Sequence, residues 1–73
     1  MNRIPFPGNV LREKRQELDF TLDEVYKKLR IPVSSLTAFE EGRTHDLPPM
    51  TYSLGFLRTY CVFLGLPPEQ YAD

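Results

Sequence analysis

The sequence predicts an all-α fold, a compact bundle of about five short helices in one domain. Three observations support this prediction. Apolar residues recur at spacings of three and four, no stretch alternates apolar and polar residues as a half-buried strand does, and Pro or Gly separates the helical stretches. With 73 residues, the chain has room for a single core made from few elements.

Composition narrows the classes of function. Nine basic and ten acidic residues give a net charge of -1, whereas DNA-binding domains usually carry a basic excess, so non-specific binding to nucleic acid is not expected. Cys61 is the single cysteine, which excludes an internal disulfide and favours a buried apolar role in a reducing compartment. His45, the single histidine, is expected in a loop. Because a zinc site needs about four ligands, neither a metal nor a cofactor is expected.

Neither catalysis nor membrane insertion is expected of this chain. It lacks a nucleophile paired with a base and a glycine-rich phosphate loop, and one small core leaves little room for a cleft, so neither an enzyme nor a small-molecule substrate is predicted. The longest apolar run, residues 61–64, is far shorter than the roughly 18 residues typical of a spanning helix. The N-terminus lacks the charged and apolar regions of an export signal, which predicts a soluble cytoplasmic chain.

The N-terminal part divides into an arm and a first helix. Two prolines and a glycine in residues 1–8 predict an extended N-terminal arm, followed by a helical domain over residues 9–73. The first helix is predicted from about Asn9 to Leu18. Its expected buried face consists of Val10, Leu11 and Leu18.

The second and third helices are separated by a tight turn. Thr21 to Glu24 fits a capping box, and the helix that follows is expected to end before Pro32. The third helix is predicted over Val33 to Glu41, with Gly42 closing it. The expected buried stripe of the second helix consists of Leu22, Val25, Tyr26 and Leu29.

A loop and two further helices complete the predicted domain. Residues 43–49 read as a loop in which Leu47 packs under the domain. A long fourth helix is predicted from about Pro49 to Leu64, closed by Gly65, and a brief fifth turn from about Pro67 to Tyr71.

Residues 21–42 resemble the helix-turn-helix of phage-repressor-like (lambda-repressor-like, XRE-type) DNA-binding regulators. DNA readers of this class present Arg, Lys, Asn or Gln to base edges from the third helix. The third helix here contains none of these, and two glutamates near its C-terminal end would face a polyanion. Sequence-specific DNA binding therefore remains only as the alternative function. The side chains expected to be exposed are Ser34, Ser35, Thr37, Glu40 and Glu41, of which Ser34, Ser35 and Thr37 are the candidate DNA contacts.

The fourth helix carries more apolar surface than one buried stripe requires. At 100° per residue its expected core face comprises Met50, Ser53, Leu54, Leu57, Tyr60, Cys61 and Leu64. Tyr52, Phe56 and Phe63 form a separate aromatic strip beside that face. Two interpretations fit this strip. The rings are either core residues of a deeply wrapped helix or an exposed patch for a protein partner.

A second motif overlaps the fourth helix. Leu47-Pro48 leads into Gly-Phe-Leu-Arg-Thr-Tyr at residues 55–60, which is followed by Leu64-Gly65-Leu66. Together with Gly-x-x-Leu-Arg-x-x-Arg from Gly8, this pattern resembles the RodZ family of bacterial cell-shape proteins over residues 8–72. Two departures affect local loop shape. Pro32 stands where relatives often carry a capping residue, and Asp19-Phe20 replaces a turn containing glycine.

The resemblance implies a function. RodZ-like helix-turn-helix domains lie on the cytoplasmic side of the inner membrane and bind the actin-like filament protein MreB through two aromatics one turn apart, which match Tyr52 and Phe56. Phe63 and Arg58 are further candidate partner-binding residues, although Arg58 equally fits an ion pair that holds the fold. The resemblance also implies that Gly55 permits close helix packing. Attachment to the membrane would come only from a segment beyond Asp73.

Overall fold

The computed structural model describes residues 8–43, 47 and 50–71. Within these residues the chain forms five helices and no strand, which confirms the predicted all-α class. The helices are α1 (Gly8–Glu17), α2 (Leu22–Leu29), α3 (Val33–Glu41), α4 (Met50–Leu64) and α5 (Pro68–Tyr71). Gly8 is the first residue of α1, while the rest of the predicted arm, residues 1–7, and His45 lie outside the described residues. None of the described helices combines the length and hydrophobicity needed to cross a bilayer.

One core is shared by the first four helices. α1 packs on α3 and α4, α2 packs on α3, and α5 folds back on α4. The core side chains are Leu11, Val25, Ile31, Leu36, Phe39, Leu57, Tyr60, Cys61 and Leu64, each no more than 4% exposed. Leu47 is half-buried against this core, as predicted, and the expected buried position of Cys61 is also confirmed. Burial removes the thiolate from water and so raises the pKa of Cys61.

Local chemistry determines where the helices begin and end. The Thr21 hydroxyl accepts a hydrogen bond from the Glu24 backbone at 3.1 Å, and the Glu24 carboxylate accepts one from the Thr21 backbone at 2.8 Å, so the predicted capping box is present. Gly42 adopts a left-handed φ of 71° and ends α3. Asp19 has a φ of 66° in the turn after α1, the backbone geometry for which a glycine is the usual residue.

The buried faces were predicted only in part. Val10 and Leu18 are 39% and 43% exposed, because α1 is covered on one side only and ends at Glu17 before Leu18. On α2, Tyr26 is 37% exposed and lies under the Arg30 guanidinium rather than in the core. The prediction for Leu54 was also wrong, since it lies at the edge of the core face of α4 and is 39% exposed.

The close helix packing assigned to Gly55 belongs to Gly8 instead. Gly55 is exposed, and a Cβ atom added there would meet no atom within 4 Å. A Cβ on Gly8 would collide with the Glu40 carbonyl oxygen and lie 2.7 Å from the Phe39 carbonyl oxygen. The start of α1 therefore packs backbone to backbone on the end of α3, and only glycine permits this approach.

Candidate functional site

Tyr52 and Phe56 lie one turn apart in the first half of α4. The Tyr52 side chain is 63% exposed, whereas Phe56 is half-buried and packs against the core. Four residues of helix correspond to a rise of about 6 Å, so the two rings can contact the same partner surface. A large aromatic in solvent beside a second ring fixed by the core forms a candidate anchor for protein binding.

Phe63, the third ring of the strip, packs inside the domain. Its centroid lies 5.0 Å from that of Phe20 with the ring planes tilted by 54°, and the ring borders the core. In burial alone, the strip is divided between the two interpretations, and its role in partner binding stays a prediction. Phe56 and Phe63 contribute to the edge of the core, and Tyr52 projects into solvent.

The structure separates Arg58 from Tyr52 and brings it together with Phe63. Both line an open groove of about 410 Å³, whose lining residues are Leu29, Arg58, Thr59, Val62, Phe63 and Pro68. Val62 is 65% exposed and was missed in the sequence interpretation, which treated residues 61–64 as one apolar run. The exposure of Val62 could have been predicted, because it follows Tyr60 by two residues. This spacing corresponds to about 200° around the helix, so Val62 faces away from the core.

The candidate DNA contacts on α3 do not form one exposed set. Ser34 is exposed and Thr37 half-buried, but Ser35 is 4% exposed and turned into the domain. Glu40, expected to be exposed, is 3% exposed. Glu41 is exposed and forms an ion pair with Arg43 at 2.9 Å. Glu40 is inside because Arg15 of α1 and Tyr60 of α4 bind its carboxylate, which the pattern of α3 alone does not reveal.

Glu40 is the centre of a buried polar network that joins three helices. Its carboxylate accepts two hydrogen bonds from the Arg15 guanidinium, at 2.7 and 2.9 Å, and one from the Tyr60 hydroxyl at 2.5 Å. Arg12 lies 3.6 Å away on the exposed side. The hydrogen bond to Glu40 raises the pKa of Arg15. Burial, reinforced by the bond to Glu40, raises the pKa of Tyr60.

This network is structural in character. Every partner of the carboxylate comes from the domain itself, and the described residues contain no buried side-chain nitrogen or oxygen without a hydrogen-bond partner. The sequence feature that could have indicated this network is the Arg-x-x-Arg spacing of Arg12 and Arg15, which places two cations on one side of α1. No group of three or more metal-ligating side chains occurs among the residues described.

Comparisons with known proteins agree with this geometry. The family of the helix-turn-helix domain matches residues 10–71. An uncharacterized protein of Haemophilus influenzae (strain ATCC 51907 / DSM 11121 / KW20 / Rd) is 31% identical over 62 residues, which cover 84% of this chain and 20% of that protein. The chain thus spans about a fifth of the length of this curated relative. No solved structure matches the chain. The match over most of the chain and the five-helix structure together show that the protein belongs to this helix-turn-helix domain family.

Proposed function

We propose that this domain is an adaptor of the RodZ type that binds the actin-like filament protein MreB through the aromatic side chains of α4. The observation on which this proposal depends is the exposure of Tyr52, 63%, directly beside the half-buried Phe56. The resemblance to RodZ over the Leu-Pro and Gly-Phe-Leu-Arg-x-Tyr motifs supplies the identity of the partner. Function therefore rests on binding, with no catalytic step.

The two rings have complementary properties as an anchor. Phe56 is held by the core and loses little freedom on binding, while Tyr52 offers most of its ring for burial. Such central aromatics commonly contribute about 2 kcal/mol or more to an interface. We place the centre of the filament contact at these two residues. Phe63 and Arg58 lie farther along α4, in the groove described above, and are peripheral to it.

The proposed setting is the cytoplasmic face of the bacterial inner membrane, with the spanning segment outside this chain. The Haemophilus relative supports the idea of a domain within a larger protein, because four-fifths of its length lies outside the matched region. In this arrangement the domain would recruit the filament to the membrane without itself touching lipid.

Cosedimentation with purified MreB filaments tests the proposal. Tyr52→Ala is expected to weaken binding by 1 to 3 kcal/mol, or about 5- to 150-fold, with an unchanged melting temperature because the side chain is mostly in solvent. Tyr26→Ala, which removes an exposed tyrosine from α2, is the matched control and should bind like the parent. Phe56→Ala should lose both binding and some stability. If Tyr52→Ala pellets with filaments as the parent does, the aromatic pair is not the interface.

DNA binding is the second candidate, favoured by the helix-turn-helix family itself. The charge of Glu40 is not an obstacle to DNA binding, because the arginines of α1 neutralise this buried carboxylate. The objection that remains is α3, which contains no Arg, Lys, Asn or Gln and exposes Val33, Ser34 and Glu41. We expect anisotropy titrations at physiological salt to show no sequence-selective binding. Nanomolar binding that Ser34→Ala abolishes would replace the adaptor with a regulator.

A further inference from the structure

Gly55 lies inside α4, where a glycine destabilises the helix relative to alanine. Two features of a fold commonly require glycine, a left-handed backbone or a close approach of another part of the chain. Gly42 and Gly65 have the first, with φ of 71° and 79°, and Gly8 has the second. Gly55 has no positive φ, is exposed, and would place a Cβ atom within 4 Å of no described atom. The described part of the domain therefore gives no internal reason for this glycine.

The absent side chain leaves a shallow row on the outer surface of α4. Residues four apart line up along a helix and form its surface ridges. Gly55 and Thr59 share one such row, both are exposed, and neither has a long side chain. The row of Tyr52 and Phe56 runs beside it, because each of these residues lies three positions before its neighbour in the shallow row.

Larger side chains border the shallow row on both sides. On one side the Tyr52 ring is 63% exposed. On the other side lies the row of Leu54, Arg58 and Val62, all exposed, with Val62 at 65%. We call the depression between these two rows the Gly55 groove. Its floor is the α4 backbone at Gly55.

We propose that a helix of the filament subunit packs across α4 in the Gly55 groove and contacts the α4 backbone at Gly55. Helices pack by placing the ridges of one into the grooves of the other, and the distance between their axes depends on the side chains at the contact. The proposal rests on the filament contact proposed above, because Tyr52 and Phe56 form one edge of this groove. Gly55 then serves the partner rather than the fold, and Tyr52 packs against the side of the partner helix.

Adding a methyl group at Gly55 tests this proposal, with cosedimentation with purified MreB filaments and a melting curve as the two measurements. Gly55→Ala should raise the melting temperature by roughly 2 to 8 °C, because alanine favours the helix and meets no described atom. The same change should weaken filament binding by about 5-fold or more, because the methyl group separates the two helices. A residue that only supports the fold would change stability and binding in the same direction.

A larger side chain at the same position extends the series. Leucine is also a good helix former and has open space here, so Gly55→Leu should remain folded, while binding should fall by about 50-fold or more. If Gly55 served only to make α4 flexible, alanine and leucine would weaken binding equally. Ser34→Ala and Ser34→Leu, the same side chains at an exposed site on α3, are the matched controls and should leave binding unchanged.

Three results would overturn the proposal. The first is that Gly55→Leu pellets with filaments as the parent does while Tyr52→Ala does not, which leaves the filament contact standing without the groove. The second is an equal loss of binding in Gly55→Ala and Gly55→Leu, which would assign flexibility to Gly55. The third is self-association in analytical ultracentrifugation that Gly55→Leu abolishes with filament binding unchanged, which would identify the groove as a contact between copies. If Tyr52→Ala also binds like the parent, the filament proposal itself fails, and the groove proposal fails with it.

Discussion

Replacing Glu40 with alanine removes the acceptor of three hydrogen bonds that join α1, α3 and α4. Two come from the Arg15 guanidinium and one from the Tyr60 hydroxyl. The side chains of Glu40 and Arg15 are 3% and 12% exposed, so water cannot replace the lost carboxylate without rearrangement. The carboxylate also lies in the last turn of α3, where the helix dipole disfavours a negative charge, and the arginines compensate for this.

The expected loss of stability is large for so small a domain. Removing one partner from a buried ion pair costs about 3–5 kcal/mol, because the remaining charge stays buried without compensation. Arg15 keeps one hydrogen bond, from Nη1 to the Phe20 carbonyl oxygen at 2.8 Å, which favours the lower part of this range. A 73-residue domain has a free energy of unfolding of roughly 4–11 kcal/mol. Glu40→Ala should therefore leave the domain marginally folded, with a melting temperature lower by roughly 12 to 40 °C.

Urea denaturation and thermal unfolding followed by circular dichroism provide the assay. Glu41→Ala is the matched control, because Glu41 is the next residue of α3 but forms an exposed pair with Arg43, worth about 1 kcal/mol at most. The double variant Arg15→Met with Glu40→Leu should lose less than Glu40→Ala, since no charge remains buried. The reasoning is refuted if Glu40→Ala and Glu41→Ala lower the free energy of unfolding by the same amount.

Two further predictions concern the helix contacts and the response to pH. Gly8→Ala should lower the free energy of unfolding by about 1–3 kcal/mol, because its Cβ would overlap the Glu40 carbonyl oxygen, whereas Gly55→Ala should raise it by about 0.5–1 kcal/mol. Equal shifts in the two thermal unfolding curves would contradict this contrast. As pH rises above 10.0, unfolded Tyr60 ionises while the folded residue, with its raised pKa, stays protonated. Stability should then fall by up to about 1.4 kcal/mol per pH unit. Tyr60→Phe should remove this part of the decline, which urea titrations at several pH values would measure, and leave only other contributions such as that of Cys61. A parallel decline in the parent and in Tyr60→Phe would exclude Tyr60 as its cause.

The helix boundaries could be predicted because their causes are local. The capping box depends on Thr21 and Glu24, three residues apart, and the end of α3 depends on the backbone freedom of Gly42. A short window of sequence contains all of this information. The position of Tyr52 beside the core face could be predicted for a similar reason, because a helical projection of α4 separates this side chain from that face, although its exposure was left open between two interpretations.

Burial of the polar groups could not be predicted in this way. Arg15 and Glu40 are 25 residues apart, and nothing in the sequence of α3 alone indicates that a cation from α1 will bind the Glu40 carboxylate. The role of each glycine likewise depends on contacts between residues far apart in the chain, which local sequence does not reveal. The family motif drew attention to Gly55, yet the backbone contact that excludes a side chain is made by Gly8, against Phe39 and Glu40 at the far end of α3.

The network around Glu40 also bears on how α4 presents its outer surfaces. Tyr60 lies in the C-terminal half of α4, and its hydroxyl donates a hydrogen bond to the Glu40 carboxylate of α3, which Arg15 also binds. Directional bonds as well as packing therefore fix the rotation of α4 about its own axis. Tyr52 and Val62 are both exposed on this helix, so the network helps to fix the backbone positions from which they extend. Holding contact residues in place lowers the entropy lost on association. If the proposed filament contact is correct, Tyr60→Phe should therefore weaken cosedimentation with filaments slightly even at neutral pH, where the fold remains intact.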